Sequence, residues 1–468
     1  VTGRTRQRAG LTLALLAFSQ FIIAVDYNIV YVALPDIGHA LGFSARSLQW
    51  VVSAYAVAFG GFLLLGGRVV DRIGGRRVFA LGLAIFGLAC LAGGLAHSPG
   101  VLIAARAVQG FGAALLAPAT LALINTRFTE GPARTRAFAV WGASGSGGLA
   151  VGAVLGGVLT QALGWQWVLY VLVPLAALAI AAIPTALPPD NGRGKGSFDV
   201  PGAVLATAGS SLLVLGLVSG PDAGWGSPRG AGAIAAGVVL LGLFALVEVR
   251  TREPLVPMRL LGNRSLATSI GVILVFQSSL GGAYFLLTNY LQGFRGYDAL
   301  QAGLSFLPLT IVSMIASLRL AGALLTSWGP RWTLLAGMAV NGIGLIVLAL
   351  AMSRGATFWE LIPGMVIWGV GGGTTFPAMF ACAASGVAPH QAGVASALAS
   401  AAQQIGGAAG LAVLVVIATA ARLLADGLRT AMWMAGAASL AGGLLVFALR
   451  TQRRDPLPDA EPLSAGTR

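Results

Sequence analysis

The sequence predicts an all-α polytopic membrane protein with about fourteen spans. Three observations carry that expectation. Of 468 residues, 57% are hydrophobic and only 9% charged, against about 25% charged in ordinary soluble domains. Such a chain cannot cover a globular surface with polar groups. Apolar runs of about 20 residues recur from end to end, each long enough to cross a hydrocarbon core. Glycine is abundant, at 67 residues, which suits close helix contact in lipid.

The runs follow one another at about 11–34, 48–67, 78–97, 100–125, 137–160, 165–185, 200–220, 229–250, 266–290, 301–325, 331–352, 357–382, 395–420 and 430–450. The first is too long for a cleaved signal and lacks a small-x-small site. It follows a short tail, 1–10. The seventh and eighth, rich in Gly and Ala, fall with a linker in 186–265. Pro188 to Asp199, rich in Pro and Gly, reads as a flexible linker, and 451–468 as a disordered polar tail.

The net charge of +14 invites a nucleic-acid reading, but the arginines sit in short loops between spans. With the N-terminus inside, inner loops and tails hold 21 of the 29 Lys and Arg, and outer loops hold six. The remaining two, Arg106 and Arg319, lie inside spans. This is the positive-inside distribution. It places both termini in the cytoplasm of a multi-pass protein of the cell membrane. Cys90 and Cys382 lie in apolar spans without metal-ligand spacing and read as small core residues.

The second and third spans are joined by Gly66-Gly67-Arg68-Val69-Val70-Asp71-Arg72-Ile73-Gly74-Gly75-Arg76-Arg77. It resembles the Gly-x-x-x-Asp-Arg-x-Gly-Arg-Arg loop of the major facilitator superfamily. Span one carries Val25-Asp26-Tyr27-Asn28-Ile29-Val30-Tyr31-Val32-Ala33-Leu34-Pro35, similar to the Asp-x-Thr-Ile-Val-Asn-Val-Ala-Leu-Pro signature of fourteen-helix drug:proton antiporters. Arg106, Gln109 and Gly110 resemble that family's Arg-x-x-Gln-Gly element. Gly148, Gly152, Gly156 and Gly157 resemble its antiporter motif, and Trp165-Gln166-Trp167 the start of its sixth span. Gly369 to Gly373 and Gln403 to Gly407 fit its second half. The family pattern has Pro at Ala153, Thr at Asn28, Asn at Tyr31 and Arg at Gln166. The resemblance implies a major facilitator fold, two six-helix bundles (11–185 and 266–450) plus two additional central helices inserted between them with a linker (186–265). It also implies transport of a small molecule by a monomer.

Asp26 is the one acid clearly inside a span; Glu248 sits near the inner end of span eight. A central carboxylate costs about 2.5–3.5 kcal/mol on insertion scales, so it faces a cavity or a partner. Burial favours its neutral form and a nearby cation its charged form, the opposition a proton-coupling group needs. At 1.5 Å per residue, Asp26 and Arg106 lie about 12 and 9 Å from the outer ends of their spans. Gln109 shares the face of Arg106. These three are the expected proton-coupling group; the alternative is a structural polar cluster.

The basic loop reads as a cytoplasmic gate formed by Gly67, Asp71, Arg72, Gly74, Arg76 and Arg77. In it Asp71 accepts from a neighbouring helix N-terminus and pairs with Arg72 or Arg76. Topology-setting charge alone would explain the arginines but not the acid or the glycines. Gly148, Gly152 and Gly156 form a smooth stripe for a close helix neighbour. Tyr27, Tyr31, Tyr55, Phe276, Gln277 and Tyr284 are candidates to line a substrate cavity, each alternatively a packing or interfacial residue. Arg319 has no evident partner.

The expected function is proton-coupled efflux of amphipathic or hydrophobic small molecules, such as drugs, dyes and antibiotics. One inward proton gains about 2.3 kcal/mol per 100 mV and about 1.4 kcal/mol per pH unit. Together these support a gradient on the order of several hundred-fold for a neutral cargo. No cofactor or metal is expected, the proton gradient being the energy source. No phosphate-binding Gly-x-x-x-x-Gly-Lys-Ser/Thr loop is present and Lys195 is the only lysine. The alternatives are a narrow metabolite carrier on the same fold and a non-transporting membrane sensor. A membrane hydrolase is disfavoured, because His39, His97 and His390 fall in or near loops on opposite sides.

Overall fold

A computed structural model of the chain describes residues 3–43, 45–190, 199–251, 254–353, 355–421 and 423–448. Fourteen helices among them are long and apolar enough to cross a membrane. Numbered by span, they are α1 (Gly3–Leu41), α2 (Trp50–Ile73), α3 (Gly75–Gly94), α4 (Pro99–Arg127), α5 (Pro132–Leu163) and α6 (Trp167–Ala186). Then come α7 (Val200–Ala223) and α8 (Pro228–Arg250). The second half holds α9 (Arg264–Phe294), α10 (Leu300–Ser327), α11 (Gly329–Ala351), α12 (Phe358–Ala383), α13 (Ala392–Ala420) and α14 (Ala425–Phe447). The linker residues 191–198, the tail 451–468, Arg354 and Arg422 lie outside the described residues.

Two boundaries differ from expectation. Helix α1 begins at Gly3, inside the segment expected as a tail. Residues 4–9 are mostly good helix formers, so the helix runs on past the apolar stretch. The linker starts with an ordered contact: Asp190 is bonded to the start of α3.

The two halves repeat one packing scheme. In the first, α1 packs on α5, α4 on α2 and α3, and α6 on α1 and α3. In the second, α9 packs on α13, α12 on α10 and α11, and α14 on α9 and α11. Each pair in one half has its counterpart eight helices later, so the bundles are structural repeats. Lipid gives no hydrophobic drive between helices, and close contact does the work instead. At Gly110 an added Cβ would strike the Tyr55 carbonyl on α2. The inserted α7 and α8 pack on each other through Gly209, Gly216 and Gly237. Helix α7 also lies against both α2 and α13, astride the junction of the halves.

An even number of spans puts the entry to α1 and the exit from α14 on the same face as the α2–α3 loop. This face is called the basic end below.

Candidate functional site

Asp26 and Arg106 are buried together between α1 and α4. Arg106 Nη1 donates to Asp26 Oδ1 at 2.9 Å and Oδ2 at 3.2 Å, and to Gln109 Oε1 at 2.6 Å. Gln109 Nε2 donates back to Asp26 Oδ1 at 2.7 Å. The arrangement is a closed ring in which cation, anion and amide satisfy one another. Arg106 Nε donates to the Val51 carbonyl of α2 at 3.0 Å, and its guanidinium lies 4.5 Å from the centre of the Tyr55 ring. A buried ion pair persists only when its remaining donors and acceptors are met, and α2 supplies an acceptor for Arg106 Nε.

Two side chains join this cluster against expectation. Cys90 is not simply a core filler: Gln109 Nε2 donates to its Sγ at 3.0 Å. Tyr55 does not line an open cavity; its ring supports Arg106, and its hydroxyl is buried without a hydrogen-bond partner. The packing of α3 against α4 brings Cys90 and Gln109 to one level, a register that the sequence alone does not reveal.

Tyr27 and Tyr31 are accessible, at 48% and 46% exposure, in the middle of a span whose Asp26 is wholly buried. Helix α1 gives one side to α5, one to α4 and its back to α6. The two tyrosines, four residues apart, occupy the side left over. Their rings lie 5.9 Å apart, tilted by 53°. Asn28 is turned away from them and donates to the Leu149 carbonyl of α5 at 2.9 Å.

The remaining cavity candidates come from α9, where Phe276 and Gln277 are buried and Tyr284 is half-buried. Phe276 is fully buried in the core, where it cannot touch a cargo in this conformation. Tyr284 stacks on Phe306 and meets Trp368, with ring centres 5.3 and 5.0 Å away. Gln277 is buried with its Oε1 unpartnered. Arg319 lies in a π-helical turn, Ser317–Ala321, and is exposed. Among the described residues no three His, Cys, Asp or Glu side chains converge as a metal site.

At the basic end, α2 and α13 close on each other across the two halves. Asp71 Oδ1 accepts from the Gly393 N–H at 2.7 Å and Oδ2 from Val394 N–H at 3.0 Å. These are among the unsatisfied donors of the first turn of α13, where the helix dipole favours a negative charge. Both carboxylate oxygens are thereby used, and Asp71 makes no bond to Arg76; Arg68, one turn earlier, is the cation beside it. Gly67 and Gly393 permit the crossing. A Cβ on Gly67 would strike Ala397 and the Gly393 carbonyl, and one on Gly393 would strike the Gly67 carbonyl and Asp71.

The other half of the loop is fixed differently. Gly74 turns the chain at φ +106°, a conformation that favours glycine. The backbone N–H groups of Arg76 and Arg77 donate to Asp190 Oδ1 and Oδ2 at 3.1 and 3.2 Å. The two arginines therefore contribute backbone donors to this turn.

Gly148, Gly152 and Gly156 form the stripe that receives α1: added Cβ atoms would meet the Phe21, Val25 and Ile29 carbonyls. Gly157 belongs to another face and meets Leu300 of α10. That face continues with Ser146, 3.1 Å from Ser313, and with Ser317, which donates to the Ala139 carbonyl. Helix α5 runs unbroken through Ala153.

The Major Facilitator Superfamily profile matches residues 16–411 and 320–467. The chain is 42% identical to a puromycin resistance protein of Streptomyces alboniger, over 87% of this chain and 82% of that one. It is 41% identical to a cephamycin export protein of Amycolatopsis lactamdurans, over 89% and 87%. It is 36% identical to a lincomycin resistance protein of Streptomyces lincolnensis, over 97% and 94%. A solved proton:xylose symporter superimposes with a TM-score of 0.68 at 14% identity, covering 95% of this chain and 96% of that one. That last likeness speaks for the fold alone. With this match along its length and fourteen spans in two repeated bundles, the chain belongs to the major facilitator superfamily and is a membrane transporter, not an enzyme.

Proposed function

We propose that the protein is a proton-coupled exporter of amphipathic or hydrophobic small molecules, antibiotics among them. It works by alternating access, as a monomer in the cytoplasmic membrane, with both termini in the cytoplasm and no cofactor. The observation that carries this reading is the Asp26–Arg106–Gln109 ring. Arg106 and a proton compete for the same carboxylate, so protonating Asp26 frees a buried guanidinium and amide to find other partners. That rearrangement occurs next to the accessible Tyr27 and Tyr31, where a cargo with an apolar face would bind.

The Asp71 contact supports the gating part of the reading, since it joins α2 of one half to α13 of the other. The relatives support the cargo class: their names concern resistance to, or export of, puromycin, cephamycin and lincomycin. Each name carries a single antibiotic, which favours a narrow range of cargo within the same mechanism.

The test is flux in proteoliposomes under an imposed pH gradient, with a panel of dyes and antibiotics. Wild type is expected to move at least one antibiotic against its gradient, and Asp26→Asn to lose the dependence on the proton gradient. Full proton-driven transport by Asp26→Asn would sink the assignment of the proton to this residue.

A further inference from the structure

Where α10 ends and α11 begins, a groove of about 470 Å³ is lined by Ser327, Trp328, Trp332, Leu335, Ala336 and Ala339. It lies at the basic end. From Trp332 to Ala339 it descends seven residues, about 10 Å along the helix. Trp328 and Trp332 are each about half exposed, at 55% and 52%.

Arg331 stands beside this groove. Its guanidinium carbon lies 4.5 Å from the centre of the Phe447 ring and 5.7 Å from that of Trp332. Its Nε is buried without a partner, and the guanidinium has no acceptor among the described residues. The rings hold the plane of the cation while its hydrogen-bonding edge is left unused. An aromatic belt at the membrane interface accounts for the two tryptophans. It does not account for a guanidinium set against two rings with no acceptor among the described residues.

We propose that this groove binds one anionic phospholipid of the leaflet at the basic end. An acyl chain lies along Leu335, Ala336 and Ala339, and the phosphate meets Arg331. The bilayer is the medium that covers this face, so the occupant is a lipid. A planar fork of N–H donors suits phosphate oxygens, and a headgroup of net negative charge complements the Arg331 cation beside the groove.

Purified protein incubated with equimolar phosphatidylglycerol and phosphatidylcholine, followed by native mass spectrometry, tests the proposal. Wild type is expected to retain one phosphatidylglycerol in preference to phosphatidylcholine by about fivefold, the size of effect expected for one cation at an anionic surface. Arg331→Gln should bring the preference to parity. Arg331→Lys, a safer variant for folding, should keep part of it, and Trp332→Ala should lower retention of both lipids. Equal retention of the two lipids by wild type would overturn the proposal, as would an undiminished preference in Arg331→Gln. An equal loss in Arg319→Gln would point to diffuse surface charge and also overturn it. Displacement of the lipid by soluble glycerol phosphate would mean a site for free phosphate esters and would count against it too.

Discussion

Replacing Asp71 by alanine should open the basic end of the transporter. The side chain accepts two backbone N–H groups from α13, at 2.7 and 3.0 Å, and nothing in an alanine replaces them. Hydrogen bonds to a charged group contribute about 1.5–3 kcal/mol each. Water entering the gap recovers part of that, which leaves a net loss on the order of 2–4 kcal/mol for the closed arrangement. At 1.4 kcal/mol per tenfold, the ratio of open to closed molecules should rise by about 30-fold to several hundred-fold. Asp71→Asn keeps one acceptor without its charge and should give an intermediate shift. Ile73 and His390 are exposed on the two sides of the junction. Spin labels on cysteines at these positions report its width by double electron–electron resonance. The native Cys90 and Cys382 are buried and give little background. Wild type should show mainly the short distance, and Asp71→Ala a dominant longer one. An unchanged distance distribution in Asp71→Ala would refute the reasoning, because the contact would then be too weak to hold the halves.

Other consequences follow from the same geometry. Gly393→Val places methyl groups against the Gly67 carbonyl and Asp71, so membrane insertion should be normal while efflux from whole cells is lost. Gln109→Leu removes one of the Asp26 donors and one of the acceptors of Arg106 Nη1; proteoliposome flux should fall by about tenfold or more, the factor for losing one hydrogen bond to a buried charge. Asp190→Ala leaves two N–H groups at the start of α3 uncapped. It should cost about 1 kcal/mol, read as a lower apparent melting temperature in detergent with export largely retained.

Much of the Asp26–Arg106–Gln109 cluster was legible because depth along a helix is a sequence quantity. Asp26 and Arg106 sit at similar distances from the same membrane face, and Gln109 follows at a helical spacing. Cys90 escaped because its role depends on how α3 is rotated against α4. The partner of Asp71 had a signal that composition does not carry. Helix α13 starts after Gln391 with no side-chain cap, so its first donors needed an acceptor from elsewhere. The same holds for α3, whose preceding Gly74 has no side chain to offer. Its acceptor, Asp190, lies more than a hundred residues away in what read as a flexible linker. The burial of Phe276 and Gln277 was not legible for the opposite reason: aromatic and amide side chains inside a span mark either a cavity or a packed seam, and the sequence carries no sign of which.

Helix α2 connects the two sites physically. Near one end its Val51 carbonyl and Tyr55 ring hold Arg106, and near the other Gly67 and Asp71 meet α13. From Val51 to Asp71 the helix runs 20 residues, about 30 Å, without a proline or an irregular turn. If Arg106 leaves Asp26 when a proton arrives, the end of α2 that it grips must shift, and a continuous helix carries part of that tilt to the contact with α13. The two sites should therefore fail to act independently. Sites this far apart with no shared partner ordinarily add within about 0.3–0.5 kcal/mol. The open-to-closed ratio measured for Asp26→Asn, Asp71→Ala and the double variant closes a thermodynamic cycle. A coupling energy beyond that margin is expected, with the α2–α13 junction less sensitive to Asp26→Asn once Asp71 is gone. Additivity within the margin would mean that α2 transmits nothing between the ring around Arg106 and that junction.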